Sequence, residues 1–139
     1  MYRRIVLATA ALIFPVAAVA AVAVEAAHWQ GSYSNVCMHP ESGDLLGHAL
    51  SFIPYAGGTA VLLQRFEGEA LAPQLLILRE QDGIITASAA EGMPPVIRLT
   101  REHTRLRIRY LDGQQDSPEG SLRPIAASLW TGARFPDCR

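Results

Sequence analysis

The chain holds two cysteines, Cys37 and Cys138, and the second lies one residue from the C-terminus. Between them stand 100 residues without another thiol. An apolar stretch, Ile5–Val24, precedes both and carries no charge. Arg3 and Arg4 give it a positive start, and small residues follow it. That order of a charged start, an apolar run and small-x-small sites is the pattern of an export signal. Residues 1–26 therefore read as a signal helix cut after Ala26, with residues 27–139 as one domain. The run is also long enough to span a bilayer as an uncleaved anchor, and that alternative stays open at this point. Either way the two thiols meet an oxidising compartment, where a single pair most simply forms one disulfide. A bridge of that span ties the two ends of the domain together, so the intervening chain must leave the first segment and return to it. A C-x-x-C redox motif is absent.

From His28 onward there are 112 residues, enough for one domain. They hold ten arginines, no lysine and twelve acids. Nucleic-acid binders are usually markedly basic, so a nucleic-acid partner is not expected. A membrane partner is expected only if Ile5–Val24 is an uncleaved anchor.

Helical periodicity is hard to find in the domain. Short apolar runs recur between turn residues, which is the pattern of an all-β chain. Eight strands are expected: Trp29–Val36, Leu45–Ile53, Thr59–Phe66, Gln74–Arg79, Ile84–Ala89, Val96–Arg101, Thr104–Leu111 and Leu122–Trp130. Cys37–Asp44 reads as a loop, because Pro40 lacks a donor and Ser42-Gly43-Asp44 has turn chemistry. Asp82-Gly83 is the clearest two-residue hairpin signal, and Gly57-Gly58 supplies another turn. Asp112–Gly120 is a polar loop.

Eight short strands with short connections suggest a small antiparallel meander. Closing such a sheet into a barrel removes its edges and puts the last strand beside the first. The same neighbourhood is what a Cys37–Cys138 bridge requires, so a closed barrel is expected over the alternative, a β-sandwich. Trp29-Gln-Gly-Ser-Tyr33 resembles the first strand of lipocalin and avidin-type barrels, in which a glycine and an aromatic two residues on close the barrel floor. The resemblance spans these five residues and implies architecture alone, with no ligand or site.

No G-x-S-x-G elbow, H-E-x-x-H, P-loop or dinucleotide fingerprint occurs in the sequence. Ser42, Asp44 and His48 could be drawn as a triad, but triads are made by geometry, and local turn bonding accounts for the first two. His28, His39 and His48 with Glu41 and Asp44 fit no zinc spacing. Neither a metal nor another cofactor is expected. Trp29 and Trp130 read as packing at the barrel end near the disulfide, with an aromatic contact for a ligand as the functional alternative.

The sharpest pattern is Thr104–Leu111. Arg105, Arg107 and Arg109 alternate with Leu106, Ile108 and Tyr110. A period of two puts the arginines on one face and the apolar side chains on the other. Arg98 or Arg101 would join them from the preceding strand. The arginines form a candidate anion-binding surface, and an outward solvated face is the alternative reading. Three functions fit the whole. The leading one is an exported non-enzymatic binding domain for a small ligand or an extracytoplasmic protein. The second is an inhibitor of a secreted hydrolase acting through Cys37–Asp44 or Asp112–Gly120, and the third is a small hydrolase.

Overall fold

The computed structural model describes residues 29–82, 84–111, 120–126 and 135–139. The export segment, His28, Gly83, most of the Asp112–Gly120 loop and Trp130 lie outside these residues. The described chain is all-β: β1 Ser32–Ser34, β2 Cys37–Met38, β3 Leu45–Tyr55, β4 Gly58–Gly68, β5 Gln74–Gln81, β6 Ile84–Ser88, β7 Pro95–Glu102, β8 Arg105–Tyr110 and β9 Gly120–Ile125.

From β3 to β9 each strand pairs antiparallel with the next. β1 closes the sheet by pairing with both β3 and β9, giving an eight-stranded barrel. β2 adds a short ninth segment beside β3. The expected first strand is thus two pieces, and the expected loop begins two residues later, after Met38. Ser34 stands opposite Ala49 and Cys37 opposite Leu46, so the register survives a kink at Asn35–Val36.

Local chemistry builds the kink. The Ser34 hydroxyl accepts the Val36 N–H at 3.0 Å. Asn35 and His48 form a reciprocal clamp: Asn35 N–H donates to the His48 carbonyl at 3.1 Å, and His48 N–H donates to Asn35 Oδ1 at 2.7 Å. Gly47 makes room for it. Its φ is +116°, and a Cβ there would lie 2.7 Å from Asn35 Oδ1. A side chain at 47 would be both strained and in collision with the clamp.

The turns follow two rules. Asp82 adopts φ 53° between β5 and β6, where the Asp-Gly signal placed a hairpin. The β7–β8 hairpin turns through His103-Thr104 with His103 at φ 55°, and no sequence signal marks it. Strand β3 runs past Pro54, which pairs with Thr59 of β4. Its other edge is open there, since β1 reaches only as far as Ser51, so the missing donor breaks no ladder bond.

Alternation fills the interior. Leu50 and Phe52 of β3 meet Val61 and Leu63 of β4, then Leu76 of β5, Ile85 and Ala87 of β6, Ile97 and Leu99 of β7, Leu106 and Ile108 of β8, and Leu122 of β9. Most are wholly shielded from solvent. An eight-stranded barrel is just wide enough for such side chains to pack it. Trp29 is buried in this core, 5.4 Å from Phe52 ring to ring, with the guanidinium of Arg101 4.6 Å above it. It does not offer an open aromatic face. It also packs toward the Tyr55 end of β3, whereas the disulfide lies beside Leu46 at the start of that strand. Trp29 follows Phe52 because the Gly31 carbonyl accepts the Phe52 N–H.

Cys37 and Cys138 are joined, with 4.9 Å between their Cα atoms. The C-terminal tail lies along β2: Met38 N–H donates to the Pro136 carbonyl at 2.8 Å, and Cys138 N–H to the Met38 carbonyl at 2.9 Å. Phe135 packs on Phe66, 6.2 Å between centroids, in a second small cluster with Val36, Ala49 and Leu45. The disulfide-bonded pair is compatible with an oxidising, extracytoplasmic location.

Candidate binding surface and buried polar cluster

The outer wall of β7, β8 and β9 is basic. Leu106 and Ile108 point into the barrel and are fully buried, Tyr110 is half-buried, and Arg105, Arg107 and Arg109 are exposed on the opposite face. The register extends that row across neighbouring strands. Arg98 of β7 stands opposite Arg109, and Arg107 stands opposite Ser121. Continuing the β8–β9 register one residue past Leu106 and Leu122 sets Arg105 beside Arg123. Among the described residues of β7–β9, five arginines thus share a wall with one acid, Glu102, which pairs with Arg107 at 2.7 Å. Arg101 does not join them; it turns inward over Trp29. Like charges in adjacent rows disfavour one another, so a wall of this kind gains free energy when an anion settles on it.

A groove of about 550 Å³ lies at the β9 edge of this wall, between β9, the β1–β2 segment and the tail. Arg105 and Arg123 line it with Ser34 and Asn35, and the tail contributes Asp137 and Arg139. The disulfide forms part of the groove, so one side of it is covalently fixed. No ion pair joins Arg105 or Arg123 among the described residues. Arg123 and Arg139 are the members of this surface that sequence reasoning missed. The alternation of Ser121, Leu122 and Arg123 carries the signal for Arg123, but it is short.

The imagined triad does not assemble. Ser42 Oγ donates to Asp44 Oδ2 at 2.6 Å in the exposed 39–44 turn, and the Asp44 N–H donates back to Ser42 Oγ at 3.3 Å. His39 Nδ1 accepts the Ser42 N–H at 3.4 Å. His48 instead points into the barrel from β3 and is 8% exposed. Among the described residues no three His, Cys, Asp or Glu side chains converge as a metal site.

His48 belongs to a different group. Its cross-strand partner on β4 is Arg65. The ring of Tyr110, from β8, lies 5.5 Å from the His48 ring and 5.4 Å from the Arg65 guanidinium carbon. Arg65 also pairs with Glu67, two residues on. Burial is the main cause that holds the His48 pKa below its ordinary value, and the Arg65 charge adds to it, while Glu67 acts in the opposite sense. Tyr110 closes one side of the ring, and neutral Asn35 and Gly120 lie against it.

A pH dependence follows, and its sign is fixed. The unfolded chain protonates His48 near its ordinary pKa of about 6.5. The folded chain takes that proton only at lower pH, so stability is full above about 6.5 and is lost as pH falls toward the folded value. Urea unfolding at pH 7.5 and pH 5.0 should therefore show a larger drop for the native chain than for His48→Gln. Equal drops would remove His48 from the acid response.

Comparison with protein-family models, with curated proteins and with solved structures finds no match to this chain.

Proposed function

We propose that this chain is an exported, non-enzymatic binding domain that holds an acidic segment of an extracytoplasmic protein against the β7–β9 wall. The observation that carries this reading is the five-to-one excess of arginine over acid among the described residues of β7–β9, beside a groove with one disulfide-fixed side. Guanidinium groups grip carboxylates bidentately, and their fixed fork makes them better suited than an ammonium to that task. From Arg105 to Arg109 the row covers about 14 Å at the rise of an antiparallel strand. A single small ligand cannot span that distance, whereas an extended chain with several carboxylates can. Export rests on the apolar Ile5–Val24 run and on the disulfide, with cleavage after Ala26 leaving Ala27 as the new terminus. Protein recovered from outside the cytoplasm should begin at Ala27.

The inhibitor reading has one feature in its favour. The exposed 39–44 turn is internally bonded, and the disulfide holds its base, which suits a loop that enters another protein's cleft.

The test uses a glutamate decapeptide as probe. Arg105→Ala/Arg123→Ala should weaken its binding at least tenfold, about 1.4 kcal/mol, and flatten the salt dependence. Arg79→Ala, on β5 and paired with Glu91, removes one arginine away from the wall; as the off-wall control it should bind as the native chain does. Equal binding by the double variant would refute the wall as the contact surface. Tighter binding of single-stranded DNA than of the peptide by the same wall would replace the partner class.

A further inference from the structure

We propose that part of the partner's acidic segment enters the groove as an added β-strand, held by the β9 edge on one side and by the C-terminal tail on the other. This rests on the basic wall as the contact surface and adds how the partner's backbone is held. The main-chain bonding of β1 shows why β9 has an edge to offer. Phe52 N–H donates to the Gly31 carbonyl and Asn35 N–H to the His48 carbonyl, so alternate residues of β1 direct their main-chain groups at β3. Ser32 and Ser34, between them, direct theirs at β9, where Ile125 and Arg123 stand opposite. The next rung in that register would join Val36 to Ser121. It is not made, because Val36 N–H donates to the Ser34 hydroxyl instead. Beyond Arg123 no strand pairs with β9 on that side among the described residues. Ser121, two residues from Arg123 and therefore facing the same way, points its N–H and C=O into the groove that it lines.

The tail presents a second edge to the same groove. Met38 N–H donates to the Pro136 carbonyl and Cys138 N–H to the Met38 carbonyl, a parallel bridge centred on Asp137. The N–H and C=O of Asp137 itself then point away from β2, and Asp137 lines the groove. Among the described residues neither Ser121 nor Asp137 has a backbone partner on the groove side. Both residues are exposed. Unpaired strand edges are ready templates for another chain, and strand addition is a recurring way of holding an extended peptide.

Charge selects the strand. Alternate side chains of a strand share one face, and Ser121 and Arg123 put theirs on the outside. Every second side chain of the added strand therefore stands beside Arg123 and Arg105. On the tail side Asp137 contributes a carboxylate and Arg139 a guanidinium, so the groove stays positive as a whole. The open β9 edge covers Gly120–Leu122, which takes a short stretch of the segment. Its remaining carboxylates lie out on Arg107 and Arg109.

The test compares the glutamate decapeptide with the same peptide N-methylated at every second residue, which keeps every carboxylate and loses half of the N–H donors. Successive N–H groups of a strand point to opposite sides, so methylation silences one edge in either register. The methylated peptide should bind the native chain about tenfold more weakly. With the unmodified peptide bound, amide hydrogen exchange at Ser121 and Asp137 should slow about tenfold, and with the methylated peptide one of the two should stay fast. Equal affinity of the two peptides, or exchange at both amides unchanged by the unmodified one, would overturn the strand and leave the wall as the contact surface. Absence of binding by either peptide would overturn the wall and the strand together. Protection of both amides in the free chain that grows with protein concentration would give the groove to a second copy and overturn the proposal.

Discussion

Replacing Cys37 and Cys138 together by serine is expected to lower stability by about 4–5 kcal/mol in the chain-entropy model. The bridge spans 101 positions, nearly the whole domain, so the unfolded chain it restricts is about as large as a single bridge here can restrict. A domain of this size has a total stability of about 5–15 kcal/mol, and the loss is a large share of it. The folded side of the balance suffers too. The tail hydrogen bonds to Met38 and the packing of Phe135 on Phe66 depend on the tail staying beside β2. Thermal unfolding should show a midpoint lower by roughly 20 °C, taking about 4–8 °C per kcal/mol for a small domain. A midpoint within a few degrees of the native one would mean the barrel closes without the staple.

The second large effect separates two adjacent residues. Leu106→Ala should destabilise by about 2–5 kcal/mol, because Leu106 is fully buried between Ile85, Leu99 and Leu122 in the same core, and truncation leaves a cavity. Arg107→Ala, one position on, should change stability by only about 0.5 kcal/mol. Arg107 pairs with Glu102, but both side chains are well exposed, at 48% and 38%, and surface pairs contribute little. Chemical denaturation of both variants beside the native chain measures the contrast. Comparable losses for the two would mean that β8 does not divide the interior from the wall.

Much of this was readable because the informative contacts are local or forced. Arg105–Tyr110 alternates strictly, and burying three guanidinium groups would be prohibitive, so its facing followed from the sequence. The two thiols in an export context left one pairing to choose. Asp82-Gly83 marked its own turn. Other elements gave no such signal. Leu75-Leu-Ile-Leu78 does not alternate, because Leu75 and Ile77 stand on an apolar outer wall while Leu76 and Leu78 face the core. The His103-Thr104 turn lacks the usual Asn-Gly or Asp-Gly chemistry. The β2 segment extends β1 through a side-chain clamp that only the Gly47 contact reveals. The pairing of His48 with Arg65 spans seventeen positions, and it is set by the register of the β3–β4 hairpin. A one-residue slip would have sent Arg65 to the outside. Arg123 was hidden for the same reason: its place beside Arg105 exists only once β8 and β9 are in register.

The central claim is that the β7–β9 wall is the surface this protein uses. A backbone amide map during titration with the glutamate decapeptide at low salt tests it most directly. The account predicts shifts confined to Arg98, Arg105, Arg107, Arg109, Ser121 and Arg123, with the groove edges at Ser34, Asn35 and Asp137, and their collapse as salt is raised. Shifts confined to the 39–44 turn, with the arginine wall unmoved, would contradict it.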